Sequence, residues 1–323
     1  MLLILSNKWD VSVDFVVKEC RRRKLPYLRL NTEDLLNEHA SISVDEELKV
    51  ILTIKGCEYD LNSTITSIWC RRPGKVYEFS IDNEKPTEAV QKFVHEQWII
   101  WLEALSLLNN VYWMNEPSAS ARMENKAIQL DHARKAGFSI PRTIITNSAD
   151  KVREYFSGEQ RKIVAKALYS PLIEEPDQDY FIFTTSIELE DLVDSEVAVC
   201  PSIFQECLYP KRDFRVTVIE NKVLAVEVKL DTPEASDVDW RKLESAVSYE
   251  KVALPSGMVD LCANYVKAAG LSFGAIDLVE CKGTYYFLEI NPSGEWGWLQ
   301  KQIGLPVAES LCNVFEENIR SKV

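Results

Sequence analysis

A βαβ opening followed by a long region of hairpins and separate helices predicts an α/β segment joined to α+β layers. Three observations carry this. Residues 1–5 are a continuous apolar run, 11–24 keep helical periodicity, and 27–30 form a second strand after Pro26. From Arg142 onward, short strand-like runs alternate with helical ones, and two of them read as hairpins. The 323 residues, 46% hydrophobic and 27% charged, suit about two soluble globular domains.

Taken in order, the basic run Arg21, Arg22, Arg23 and Lys24 ends the first helix, where cations favour the helix C-terminus. Residues 49–55 and 57–61 flank a Lys-Gly turn and predict a hairpin, and the strand 67–71 stops before Pro73. Between residues 87 and 108, Val90, Phe93, Val94, Trp98, Trp101, Leu102, Leu105 and Leu108 recur at three- and four-residue steps, which marks one long helix with its tryptophans as core anchors. Residues 119–136 resume that periodicity and end at Gly137, so a domain boundary is placed near 115. Strands are expected at 143–146, 162–167, 180–185, 215–220, 222–230, 275–281 and 285–290, with helices at 149–156, 257–269 and from Val307.

Composition excludes several functions. The net charge of −13 argues against nucleic acid, because no basic patch offsets it. With 11 glycines the chain is glycine-poor, and neither the dinucleotide fingerprint nor the phosphate loop occurs. The eight cysteines stand singly without metal-ligand spacing, which predicts buried reduced thiols. No run is long enough for a signal peptide or a membrane span, so a cytoplasmic protein with no membrane partner is expected.

The residues that carry chemistry lie late in the chain. Glu289 and Asn291 are two apart on a strand and share a face, and a hairpin partner brings Asp277 beside them. Three hard oxygen donors suit Mg²⁺ bound with phosphate better than an all-protein cage. Lys126 follows the boundary on a helix, and Lys166 ends an apolar strand, where its ammonium must reach an edge or a cleft. Gln205, Glu206, Cys207 and Leu208 then precede Lys211, Asp213 and Arg215.

In this order the residues resemble the ATP-grasp superfamily from about Asn115 onward. The resemblance implies an ATP-grasp fold behind an N-terminal α/β domain of the pre-ATP-grasp kind, with parts at 1–115, 116–200 and 201–323. It implies ATP and Mg²⁺ as cofactors. Lys126, Lys166 and Lys211 would serve the nucleotide, with Gln205, Glu206, Cys207 and Leu208 as the adenine hinge and Asp213 for the ribose. Arg215 and Lys166 would be catalytic, and Asp277, Glu289 and Asn291 would hold metal.

More narrowly, Leu3-Ile4-Leu5-Ser6, the run from Pro26-Tyr27-Leu28-Arg29 to Asp34, Trp69-Cys70-Arg71-Arg72-Pro73 and Glu289-Ile290-Asn291-Pro292-Ser293-Gly294-Glu295-Trp296-Gly297-Trp298-Leu299 resemble the microviridin-type (graspetide) peptide ligases. This implies an ADP-forming macrocyclase that joins side-chain carboxylates of a ribosomal precursor peptide to its hydroxyls or amines. A leader segment on that peptide and a homodimer are implied with it. A ligase adding free amino acids, and a non-catalytic ATP-binding module, are the alternatives. The stretch 167–180 lacks the glycine that many ATP-grasp amino-acid ligases place over the phosphates. Arg71 and Arg72 either hold a substrate carboxylate or form structural ion pairs, and Trp296 and Trp298 either wall an acceptor pocket or pack. The acidic stretch 231–239, with Asp231, Glu234, Asp237 and Asp239, is either a steering surface for a basic leader or a solvated loop.

Overall fold

The computed structural model describes residues 1–76, 86–158, 162–169, 172–173, 180–182, 184–230 and 247–321. Contacts divide the chain into two compact units, one of Met1–Ser120, Leu271–Phe273 and Glu295–Val323, the other of Ala121–Gly270 and Gly274–Gly294.

The first unit is built on the expected βαβ opening. Its parallel sheet runs Tyr27–Asn31, Leu2–Ser6, Ser67–Cys70, Tyr112–Met114. Leu2, Leu3, Ile4 and Leu5 are all buried, as a strand covered on both faces requires. Helix Val11–Arg23 starts where the Asp10 carboxylate accepts the Ser12 and Val13 N–H groups, and it ends at Lys24 in the left-handed region, with Arg21, Arg22 and Arg23 in its last turn. Helix Val307–Arg320 packs on it, with Cys20 Sγ and Cys312 Sγ 3.7 Å apart and the Trp69 and Phe315 rings 6.1 Å apart. The Lys-Gly hairpin is present between Val50–Ile54 and Cys57–Asp60, Lys55 and Gly56 both taking positive φ. A strand the sequence did not suggest, Ser41–Val44, adds to it.

Helix Glu88–Ala104 ends earlier than expected, in a tight turn over Leu105–Leu107. Trp98 and Trp101 lie half-buried against the core with Leu102 and Leu105, as anchors should. Val90, Phe93 and Ile100 face outward.

The second unit holds two sheets. Thr185–Glu188, Lys162–Lys166, Ser202–Glu206 and Thr143–Thr146 make an antiparallel sheet in that order. Val247–Val252, Lys222–Leu230, Arg212–Ile219, Phe273–Cys281 and Thr284–Asn291 make a five-stranded sheet with the last at its edge. Helices Lys126–Ala136 and Ser256–Ala268 belong to this unit, and Phe138, Tyr265 and Phe287 join in its core with ring centroids 5.0–5.7 Å apart.

Two sequence expectations are corrected here. The helix expected over 119–136 is two helices, Pro117–Met123 and Lys126–Ala136, because the Asn125 side chain accepts the Ala127 and Ile128 N–H groups and starts a new helix. The strand expected over 180–185 is also divided: Tyr180–Phe181 pairs with Leu172–Ile173, while Thr185–Glu188 joins the larger sheet. Of the cysteines, Cys20, Cys262, Cys281 and Cys312 are buried, whereas Cys57 and Cys200 are exposed. Among the described residues no helix is long and apolar enough to cross a membrane.

Asn115 closes the first unit around Leu271–Phe273. Its buried side chain accepts the Ser272 and Phe273 N–H groups at 2.8 and 2.9 Å and donates to the Phe273 carbonyl at 2.8 Å. An Ala there strands three backbone groups, so Asn115→Ala should lower stability by about 2–4 kcal/mol. Urea unfolding measures this, and a loss below about 0.5 kcal/mol would mean that solvent satisfies those groups instead.

Candidate functional site

The last hairpin of the second unit supplies the core of the site. Asp277 on Phe273–Cys281 is the cross-strand partner of Glu289 on Thr284–Asn291, and Asn291 is opposite Ala275. The register shifts between Asp277 and Leu278, leaving Leu288 as the extra residue of a bulge immediately before Glu289. Two carboxylates directly opposite repel. Each is met by a cation from another element. Arg215 Nη1 donates to Asp277 Oδ1 at 2.7 Å, and Lys126 Nζ is 3.2 Å from Glu289 Oε2. Arg215 and Asp277 are both 7% exposed, so the pair is largely desolvated and each charge depends on the other.

Alternation along Arg212–Ile219 puts Asp213 on the face of Arg215. That face therefore gathers Asp213, Arg215, Asp277, Glu289 and Asn291. Lys211 Nζ lies 2.9 Å from Asp213 Oδ1. On the opposite face, Arg212 makes a bidentate pair with Glu227 at 2.7 and 2.8 Å. The Glu227 hydrogen bond pushes the guanidinium pKa up, and Arg212 in turn holds the Glu227 carboxyl below the usual range.

Lys166 ends the strand Lys162–Lys166, and Lys126 Nζ donates to the carbonyl of the next residue, Ala167, at 3.3 Å. The ammonium of Lys126 thus reaches the backbone next to Lys166. Gln205 is buried, with Nε2 donating to Thr143 Oγ1 at 2.9 Å, and Glu206 Oε1 accepts the Arg142 N–H at 2.9 Å. These bonds hold the end of Ser202–Glu206 beside Thr143–Thr146, and the half-buried Cys207 and Leu208 follow.

Among the described residues, no group of three or more His, Cys, Asp or Glu gathers as an all-protein metal cage. Asp277, Glu289 and Asn291 instead offer a sparse oxygen set already faced by cations, which fits a divalent ion shared with phosphate. Gly294 guards this set. A Cβ there would collide with the Ala275 methyl and lie 3.0 Å from Arg215 Nη2. Gln129 is another residue the sequence reading missed. Its signal was a polar side chain on the buried stripe of a helix, beside Leu130 and Ala133.

The four substrate candidates lie in the first unit and differ in exposure. Arg71 is buried, its Nε 3.4 Å from Asp10 Oδ2 and its Nη2 2.8 Å from Glu295 Oε2. Trp296 is buried as well, its ring 6.3 Å from that of Phe15. Arg72 and Trp298 line a groove with Asn7, Trp9 and Lys301, and Trp9 is 71% exposed. The acidic stretch 231–239 lies outside the described residues, as does most of 167–180.

No protein-family model matches the chain, and a search of curated proteins found no relative. Solved structures do match. The RiPP-associated ATP-grasp ligase of Chryseobacterium gregarium, in complex with ADP and a leader and core peptide, superposes with a TM-score of 0.84. That match covers 97% of this chain and 95% of that one at 24% identity. The chain has the ATP-grasp fold. Macrocyclase MdnC of Microcystis aeruginosa, bound with precursor peptide MdnA, gives a TM-score of 0.82 over 97% of this chain and 98% of that one at 22% identity. The D-alanine–D-alanine ligase of Bacillus anthracis gives 0.55 over 99% and 97% at 12% identity, a more distant likeness in fold. The fold inferred from the ordered motifs is therefore met along nearly the whole chain.

Glu295 allows a pH test of the first unit. Burial raises its pKa, but Arg71, the Ser12 hydroxyl, the Gly297 N–H and Arg72 more than offset this and hold it below the usual carboxylate range. A depressed carboxylate contributes stability above its unfolded pKa of ~4.3 and loses it as pH falls through the lower folded value. Glu295→Gln should therefore lose less stability than the native protein between about pH 5 and 3. Denaturation at several pH values measures this, and parallel curves would contradict it.

Proposed function

We propose that the chain is an ATP-dependent, ADP-forming ligase that cross-links side chains of a ribosomally made precursor peptide through an acyl phosphate. The single observation that supports it most is the set of Lys126, Arg215, Asp277 and Glu289 placed by two ion pairs on one ATP-grasp framework. The ADP, leader and core peptide named for the Chryseobacterium ligase, and the precursor peptide named for MdnC, favour the same substrates.

The chemistry follows from the weakness of a carboxylate as an acyl donor. Phosphoryl transfer from ATP to a side-chain carboxylate releases ADP and makes the leaving group phosphate; a hydroxyl or amine of the same peptide then displaces that phosphate, forming an ester or amide and releasing a proton. Asp277, Glu289 and Asn291 would hold Mg²⁺, which would supply positive charge to neutralise the phosphates. Lys126 and Lys166 screen the approach of two anions, and Arg215 stabilises charge on the transferring group. Cys207 and Leu208, following Gln205 and Glu206, present backbone to adenine. Asp213, set by Lys211, takes the ribose. Arg72 and Trp298 in the first unit meet the peptide, and Arg71 and Trp296 support them from within. In this reading residues 1–115 form the substrate-side domain, 116–200 the central ATP-grasp part and 201–323 the part with the metal residues. The location is the cytoplasm, and neither nucleic acid nor membrane is a partner.

Incubation with ATP, Mg²⁺ and a precursor encoded beside this chain should release ADP and phosphate, with loss of one or more waters from the peptide by mass spectrometry. Asp277→Asn, Glu289→Gln and Arg215→Ala should each cut turnover at least about 100-fold. AMP and pyrophosphate as main products would reject the mechanism. Consumption of free amino acids with a matching mass gain would replace the macrocyclase by an amino-acid ligase.

A second copy of the chain is the other partner in this proposal. Val90, Phe93, Ile100 and Leu107 form an outward apolar stripe, exposed by 46, 60, 64 and 39%. An exposed apolar stripe of this size calls for cover, and antiparallel pairing of two such helices would set Lys92 near Glu103 of the other copy. Phe93→Glu with Ile100→Glu should give a monomer by light scattering with an unchanged melting temperature. A monomeric native protein would contradict this.

A further inference from the structure

We propose that Gln129 is the positioning residue that sets Lys126 against the strand carrying Glu289 and Asn291. This rests on the nucleotide reading above and adds the element that makes the site's geometry reproducible.

Among the described residues Thr284–Asn291 is an edge strand, and there the outward N–H and C=O of Ile290 meet no neighbouring strand. Gln129 takes the place of one. Its Oε1 accepts the Ile290 N–H at 3.0 Å, and its Nε2 donates to the Ile290 carbonyl at 3.0 Å and to the Met123 carbonyl at 2.6 Å. The side chain is 2% exposed, and the Tyr265 hydroxyl donates to the Gln129 carbonyl at 3.2 Å. Every polar atom of the amide group is thus engaged.

The location gives this bond set its meaning. Ile290 lies between Glu289 and Asn291, and Gln129 lies one helical turn after Lys126, on the same side of the helix. A slip of the helix along the edge strand would move the ammonium away from Glu289, which it meets at 3.2 Å. The far end of the helix is pinned separately, where Phe287 N–H donates to the Ser139 carbonyl at 2.9 Å. Gln129 fixes the end that bears the lysine to the strand backbone. A glutamine is suited to this because only a primary amide offers a donor and an acceptor side by side, as a backbone does.

The test measures Mg²⁺-ADP affinity by calorimetry for the native protein, Gln129→Leu, Lys126→Ala and the double variant. Gln129→Leu should weaken binding about 10-fold, as loss of supporting partners commonly does. The double variant should bind no more weakly than Lys126→Ala alone, because Gln129 acts through the lysine. Exchange of the Ile290 amide should quicken in Gln129→Leu. Should that variant not fold, Gln129→Glu, which keeps the shape and the acceptor, takes its place in the same comparison. Unchanged affinity, or losses that simply add, would overturn the proposal. A native protein that binds no Mg²⁺-ADP would instead strike the nucleotide reading itself.

Discussion

Two carboxylates held side by side at the end of a hairpin set the terms for everything around them. Asp277 and Glu289 are cross-strand partners, and such a pair of like charges is unfavourable unless cations answer it. The answers come from opposite directions. Arg215 reaches Asp277 from the neighbouring strand of the sheet, and Lys126 reaches Glu289 from a helix laid on the sheet's outer edge. The strand order and the start of that helix are what make both reaches short.

Much of this could be read from residue order, because the relevant periodicities are local. Glu289 and Asn291 share a face because the bulge at Leu288 falls just outside their span. One residue later, it would have turned them to opposite faces. The Lys-Gly hairpin was legible for the same reason, since two positive φ angles are written into two adjacent residues.

What stayed hidden depends on distant partners or on competition between local signals. Helical periodicity runs straight through Asn125, yet its side chain wins two backbone N–H groups and breaks the helix, which is how Lys126 comes to lead a new one. Arg71 and Arg72 are neighbours of one type, and nothing local tells that one turns inward to Asp10 and Glu295 while the other lines a groove. Gln129 and Asn115 bond to backbone more than 150 residues away, so their weight could not be seen from their surroundings in sequence.

The path of the chain through its two units has a consequence in time. The first unit takes the first 120 residues, then only Leu271–Phe273, and is completed by Glu295–Val323. Cys20 meets Cys312 across a separation of 292 residues, and Trp69 also waits for Phe315, near the end of the chain. At a synthesis rate of ~5–20 residues per second, a span of that length takes roughly 15–60 s to emerge. For that interval helix Val11–Arg23 lacks the cover that helix Val307–Arg320 later gives it, which leaves apolar surface open to misassembly.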